Sequence, residues 1–116
     1  MPAGKYGKET LVSLKLWDSV KARVMFAKDV RQVLSYVESG NMDAGLVYLT
    51  DTVVMKSGSV AATAPKGSHS PIVYPMAAVK DGRNRAAALK FMEFLKSAEA
   101  AKVFSSYKFI PLSVGK

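Results

Sequence analysis

Few side chains in this 116-residue chain have the type and spacing for covalent chemistry. The single histidine, His69, stands between Ser68 and Ser70 in the segment Pro65-Lys66-Gly67-Ser68-His69-Ser70-Pro71, which is loop by composition. A nucleophilic triad needs residues brought together from separate elements, with a strained elbow for the nucleophile, and no G-x-S-x-G occurs. His69 therefore reads as a solvent-facing loop histidine. Metal ligation is no better supplied: one histidine, no cysteine, and no carboxylates spaced as D-x-D-x-D. Neither G-x-x-x-x-G-K-[ST] nor G-x-G-x-x-G is present, so no nucleotide-phosphate loop is expected.

The chemistry that remains is the holding of an anion. A tetrahedral oxyanion in a cleft is held well by backbone N–H groups at helix amino ends together with neutral hydroxyls. Neutral donors suffice because aligned peptide dipoles supply positive potential. The chain offers two such helix starts, near Ala3 and near Val30, and one well-placed hydroxyl, Tyr48. Taken alone, Val30 reads as ordinary core packing at a helix start, and Tyr48 as an interface tyrosine with a wet hydroxyl.

The stretch from Asp29 to Asp51 positions two of these three. Asp29 is an N-cap residue, and Val30, Val33, Leu34 and Val37 come after it at i, i+3, i+4 and i+7, one face of a helix. Gly40 stands where a C′ glycine ends such a helix. After the turn Asn41–Asp43, the apolar run Ala44–Val47 predicts a buried strand ending at Tyr48, and Thr50 or Asp51 can cap the next helix. An aspartate N-cap would accept from its own helix amides; we expect Asp29 to point away from the anion and leave the Val30 amide to it.

The other segments read in sequence. Residues 2–14 predict a helix opened by Pro2, with Tyr6, Thr10, Leu11 and Leu14 on one face and the small residues Ala3 and Gly4 at its start. Residues 16–20 predict a helical turn, with Trp17 as a packing anchor, and 23–27 a strand carrying Val24 and Phe26 inward. Residues 51–56 predict a turn of helix broken at Ser57-Gly58. Strands are predicted at 59–64 and, most strongly, at 72–79, where Pro75 implies an edge or a bend. Asp81-Gly82 is a turn. Asn84 is placed to cap a helix to about Lys96, with Ala88, Leu89, Met92 and Leu95 on one face, and Ser97 to cap a second, Ala98 to Ser106. Residues 109–116 read as a tail.

Composition bounds the partners. The chain is 49% hydrophobic and 22% charged, and it has no apolar run of transmembrane length, which points to one globular unit. The absence of cysteine excludes disulfides. The net charge of +8 attracts anions of any size, yet the basic residues are scattered, with Arg83 and Arg85 the densest pair. They neither interleave with aromatics nor mark a recognition helix, so a nucleic-acid partner is not expected.

The segment 29–51, together with PAGKYGKETL at 2–11, ATAPKGSHSPIVYPMAAVK at 62–80 and AAALKFMEFLKSAEAAKVFSSYKF at 86–109, resembles the second half of periplasmic molybdate-binding proteins. These are the substrate-binding components of molybdate ABC transporters. The resemblance covers nearly the whole chain in family order, and the family's first-lobe segment with its serine-bearing loops has no counterpart here. It implies an α/β unit from a two-lobed type II periplasmic-binding-protein fold, with mixed sheets flanked by helices. Residues 1–71 would come mostly from the second lobe, 72–80 would be a hinge-type strand, and 81–116 would return to the first lobe. It implies that Ala3 and Val30 offer backbone N–H groups, and Tyr48 its phenol, to molybdate or tungstate.

The resemblance further implies no catalysis, no cofactor, delivery to a membrane permease, and a parent that is periplasmic or extracellular and membrane-anchored. Met1 leads directly into a polar Pro-Ala-Gly-Lys start, from which no signal peptide is expected in this stretch. A sulfate- or phosphate-type anion or effector module of the same fold is the alternative, and a small basic nucleic-acid-binding domain the alternative from another class. Without the first lobe, self-association of the chain is expected.

Overall fold

The structure is a computed structural model that describes residues 2–112. Among the described residues five α-helices form: α1 (Pro2–Ser13), α2 (Trp17–Val20), α3 (Val30–Glu38), α4 (Arg85–Leu95) and α5 (Ala98–Ser106). Short 3-10 helices occupy Lys21–Arg23 and Leu49–Val54. The chain divides into two compact units, residues 1–72 and 73–116.

The helix boundaries obey local signals. Pro2 opens α1. At α3, the Asp29 carboxylate accepts from the Gln32 amide at 2.9 Å, and the Gln32 side chain reaches back past the N-cap to accept from the Lys28 amide at 2.7 Å. Gly40 takes φ +77°, the left-handed conformation that a C′ residue needs and that costs glycine little. Ser97 caps α5 by accepting from the Ala100 amide at 3.2 Å. Asn84 departs from expectation. Its side chain makes no capping hydrogen bond, and its backbone at φ −110°, ψ 38° is not the extended conformation of a capping residue.

The larger difference concerns the sheet. The segments predicted as strands, 23–27, 44–47, 59–64 and 72–79, are neither α-helical nor paired among the described residues. Residues 21–23 take a 3-10 turn instead, and Val24 then turns extended at φ −75°, ψ 128°. A strand exists by virtue of its ladder, and none of these segments finds another to supply one. In the first unit, 23–27 and 42–46 instead line a groove of about 440 Å³ with Leu11, Trp17 and Val33. The α/β character legible in the sequence is thus realised here on its helical side only.

Packing is correspondingly thin. Among the described residues Ala3, Leu34 and Ala100 are the buried apolar ones, while Phe26, Val73, Tyr74, Val79 and Phe91 are more than half exposed. In the first unit, α3 lies close on the 44–47 segment: a Cβ built on Gly45 would stand 2.5 Å from Val33 Cγ1 and 3.1 Å from Val37 Cγ2. Lys8 sits 4.9 Å over the Trp17 ring, tying α1 to α2. In the second unit, Phe109 meets Tyr74 and Phe104 edge-on, with centroids at 5.7 and 6.2 Å.

Candidate functional site

A cleft of about 70 Å³ opens in the first unit, and Ala3 and Tyr48 both line it. Each arrives there by a separate local device. Ala3 is the second residue of α1, so its amide belongs to the first turn, which has no intrahelical acceptor. Ala3 is buried at 7% exposure, and its side chain is only a methyl group, which takes little room at the helix start. Tyr48 precedes the 3-10 helix Leu49–Val54 in extended conformation, φ −73°, ψ 149°. The Tyr48 amide donates to Asp51 Oδ2 at 2.9 Å, and the Asp51 amide donates back to the Tyr48 carbonyl at 3.0 Å. This pair of bonds fixes the point from which the phenol leaves the backbone.

Val30 is the first residue of α3, as expected, and its amide has no acceptor on its own helix. The Asp29 carboxylate turns onto the Gln32 amide. Val30 is not among the residues that line the cleft. The fold thus brings together two of the three sequence-derived positions.

Tyr6, Thr10, Leu46, Val47 and His69 are further walls. No lysine, arginine or carboxylate lines the cleft, so its donors are neutral apart from what His69 supplies. Its volume would admit several water-sized bodies, the scale of a small oxyanion. Thr10 is buried, and its hydroxyl donates to the Tyr6 carbonyl at 3.0 Å, which satisfies it within α1.

Sequence reasoning missed the tethering of the 65–70 loop. Ser13 Oγ donates to the Ser68 carbonyl at 2.8 Å. The Glu9 carboxylate accepts from the Ser70 amide at 2.8 Å and from the Ser70 hydroxyl at 3.0 Å. Ser68 itself is buried, its hydroxyl donating to the Pro65 carbonyl. These contacts carry His69 against α1, half-buried, with its ring 6.0 Å from that of Tyr6. The expectation of a solvent-facing histidine is corrected: composition identified the loop, but the partners lie about sixty positions away in sequence. The Ser70 amide is the main reason the Glu9 carboxyl titrates below its usual 4.5, with the Ser70 hydroxyl, Lys5 and His69 adding to it. A second tether joins α3 to residues 56–57, where Glu38 accepts from the Lys56 and Ser57 amides and is likewise held below 4.5.

The family profile described as bacterial extracellular solute-binding protein matches residues 1–110. The chain belongs to that family. Among its relatives, this chain is 55% identical over 109 residues to YvgL, a Bacillus subtilis lipoprotein assigned to ABC-transporter substrate binding. It is 42% and 40% identical over 109 residues to the molybdate-binding proteins ModA of Haemophilus influenzae and Escherichia coli. Each alignment takes in 94% of this chain and 42% of the relative, so the chain spans less than half the length of these proteins.

A solved structure of the substrate-binding domain assigned to a molybdenum ABC transporter of Clostridium difficile superposes with a TM-score of 0.88 at 43% identity, over 97% of this chain and 49% of that one. The resemblance read from the sequence is therefore borne out, and so is a substrate-binding fold of the periplasmic-binding-protein kind. Among the described residues, no helix is long and apolar enough to cross a membrane.

Proposed function

We propose that this chain supplies part of an oxyanion-binding cleft in an ABC-transporter solute-binding protein, with molybdate as the ligand and tungstate as its close competitor. The observation that carries the reading is the meeting of Ala3, at the start of α1, with Tyr48 in one small cleft whose other walls carry no fixed charge. Helix-start amides and a phenol are the donors a tetrahedral dianion needs. Relatives named as molybdate-binding proteins support the choice of anion. In this reading Val30, at the start of α3, is the third donor, through its backbone amide. The protein turns over no substrate and needs no cofactor: its work is capture and presentation to a membrane permease, outside the cytoplasm. The segments 23–27, 44–47, 59–64 and 72–79 become strands of mixed sheets once the length present in the relatives surrounds them.

The test is a calorimetric or NMR titration with molybdate, tungstate, sulfate and phosphate. Molybdate and tungstate should perturb Ala3, Val30 and Tyr48 first and at the lowest concentration. Equal responses to sulfate and phosphate would favour the broader anion module instead, and no response at these residues would end the reading.

A further inference from the structure

His69 is absent from the donor set above, yet it lines the same cleft as Ala3 and Tyr48. Its placement is built rather than incidental. The loop that carries it is fastened to α1 on both sides of the ring, by Ser13 to the Ser68 carbonyl and by Glu9 to the amide and hydroxyl of Ser70. Its Nδ1 lies 2.8 Å from the Ser70 carbonyl oxygen. A carbonyl only accepts, so Nδ1 carries the hydrogen and donates. That fixes the tautomer and leaves Nε2 as the nitrogen with no hydrogen-bond partner among the described residues.

We propose that His69 is a further anion-binding residue of this cleft, its Nε2 supplying a donor to the bound oxyanion when the imidazole is protonated. The proposal rests on the oxyanion reading of the cleft. Its charge setting is favourable. Glu9, from α1, is the carboxylate that faces the ring through Ser70, and the phenols of Tyr6, also from α1, and Tyr48 line the same cleft. Lys5 acts on Glu9 and moderates that pair. With no lysine or arginine in the walls, a protonated imidazole would be the one cationic donor there. A small dianion such as molybdate keeps its charge between about pH 6 and about pH 8.5, so a change of affinity across that range reports on the protein.

NMR titration of the whole chain with molybdate at about pH 6 and about pH 8.5 brackets the ordinary range of an imidazole. Affinity, read from the Ala3 and Tyr48 amide shifts, should be about three- to tenfold higher at the lower pH, as a partly screened charge-assisted hydrogen bond gives. By linkage, the midpoint of the His69 ring titration should move to higher pH when molybdate is added. His69→Asn keeps a donor for the Ser70 carbonyl but has no Nε2. Its affinity should lose the gain between about pH 8.5 and about pH 6.

Shifts at Ala3 and Tyr48 with an affinity that ignores pH, or an unmoved His69 midpoint, would overturn the role of His69 and leave the oxyanion reading standing. Retention of the low-pH gain by His69→Asn would do the same. Absence of any shift at Ala3 and Tyr48 would overturn both. If His69→Asn fails to fold, the wild-type ring titration still decides.

Discussion

Tyr48 illustrates how a single residue is prepared by its backbone. The Asp51 carboxylate holds its amide, and the Asp51 amide holds its carbonyl, so the phenol starts from a fixed point beside the Ala3 helix start. Tyr48→Phe, made in a protein that carries the family's full length, should weaken molybdate binding by about 1 kcal/mol or more, the cost of one lost hydrogen bond in a polar site. Calorimetry checks it, and unchanged affinity would take Tyr48 out of the site.

Glu9 and Glu38 make a second prediction at this scale. Amide donors hold both carboxyls below 4.5 in the fold. A lowered folded-state value means that each tether contributes above about pH 4.5 and is lost as pH falls through the lowered value. The amide signals of Ser70, Lys56 and Ser57 should therefore shift together on acidification below about pH 4.5, and Glu9→Gln and Glu38→Gln should show weakened tethers already at neutral pH. Signals that stay constant down to the acid unfolding of the helices would contradict this.

At the scale of elements, the helices are set by their ends and by one close approach. Asp29 and Ser97 each accept from an amide of the first turn of their helix. Asp29→Ala and Ser97→Ala should each cost about 1 kcal/mol, read as lost amide-exchange protection confined to α3 and α5 respectively. Equal protection in mutant and parent would show that packing, not capping, holds these helices. Gly45 matters for space. A methyl group there would drive into Val33 and Val37, so Gly45→Ala should destabilise the contact of α3 with the 44–47 segment by about 1–3 kcal/mol. Denaturant unfolding followed at Val33 or Val37 measures it, and a neutral outcome would mean that α3 is free to move outward.

The whole molecule exposes more surface than a finished domain does. Its accessible area is 9457 Å². A folded monomer of 12.5 kDa exposes about 6,200 Å², and two separate bodies of the units' sizes roughly 7,400 Å². The excess includes apolar side chains such as Phe26, Val73 and Val79, beside segments whose backbone has no ladder. Unpaired edges and apolar patches drive association. The isolated chain should therefore self-associate at micromolar concentration, with a two-fold dimer as the simplest closed outcome. It should also bind molybdate weakly, because a few donors on one wall leave the other oxygens of the anion in water. Size-exclusion chromatography with light scattering tests the first and calorimetry the second. A cooperatively folding monomer, or tight binding by it, would show a more self-sufficient unit.

What the sequence determined by itself is what depends on neighbours a few positions away. Asp29 and Gly40 delimit α3, Ser97 starts α5 and Pro2 opens α1, because caps and φ preferences act within one turn, whereas the short helix after Tyr48 stops at Val54, before the expected break at Ser57-Gly58. The solute-binding relationship was legible for a similar reason, since it rests on an ordered run of local segments. Asn84 shows the limit even here: a residue of the right type made no cap because its backbone did not take the extended form.

Tertiary structure decided everything that needs a distant partner. Strand pattern at 23–27, 44–47 and 72–79 is necessary for a sheet, but only a neighbouring backbone makes one, and none of these segments meets one. The meeting of Ala3 with Tyr48 results from how α1 lies against the 46–48 segment, and Val30 lies outside the cleft they line. His69 moved from an expected solvent-facing loop to the wall of the cleft because Ser13 and Glu9 reach across 55 and 61 positions to hold Ser68 and Ser70, contacts for which periodicity and composition carry no signal.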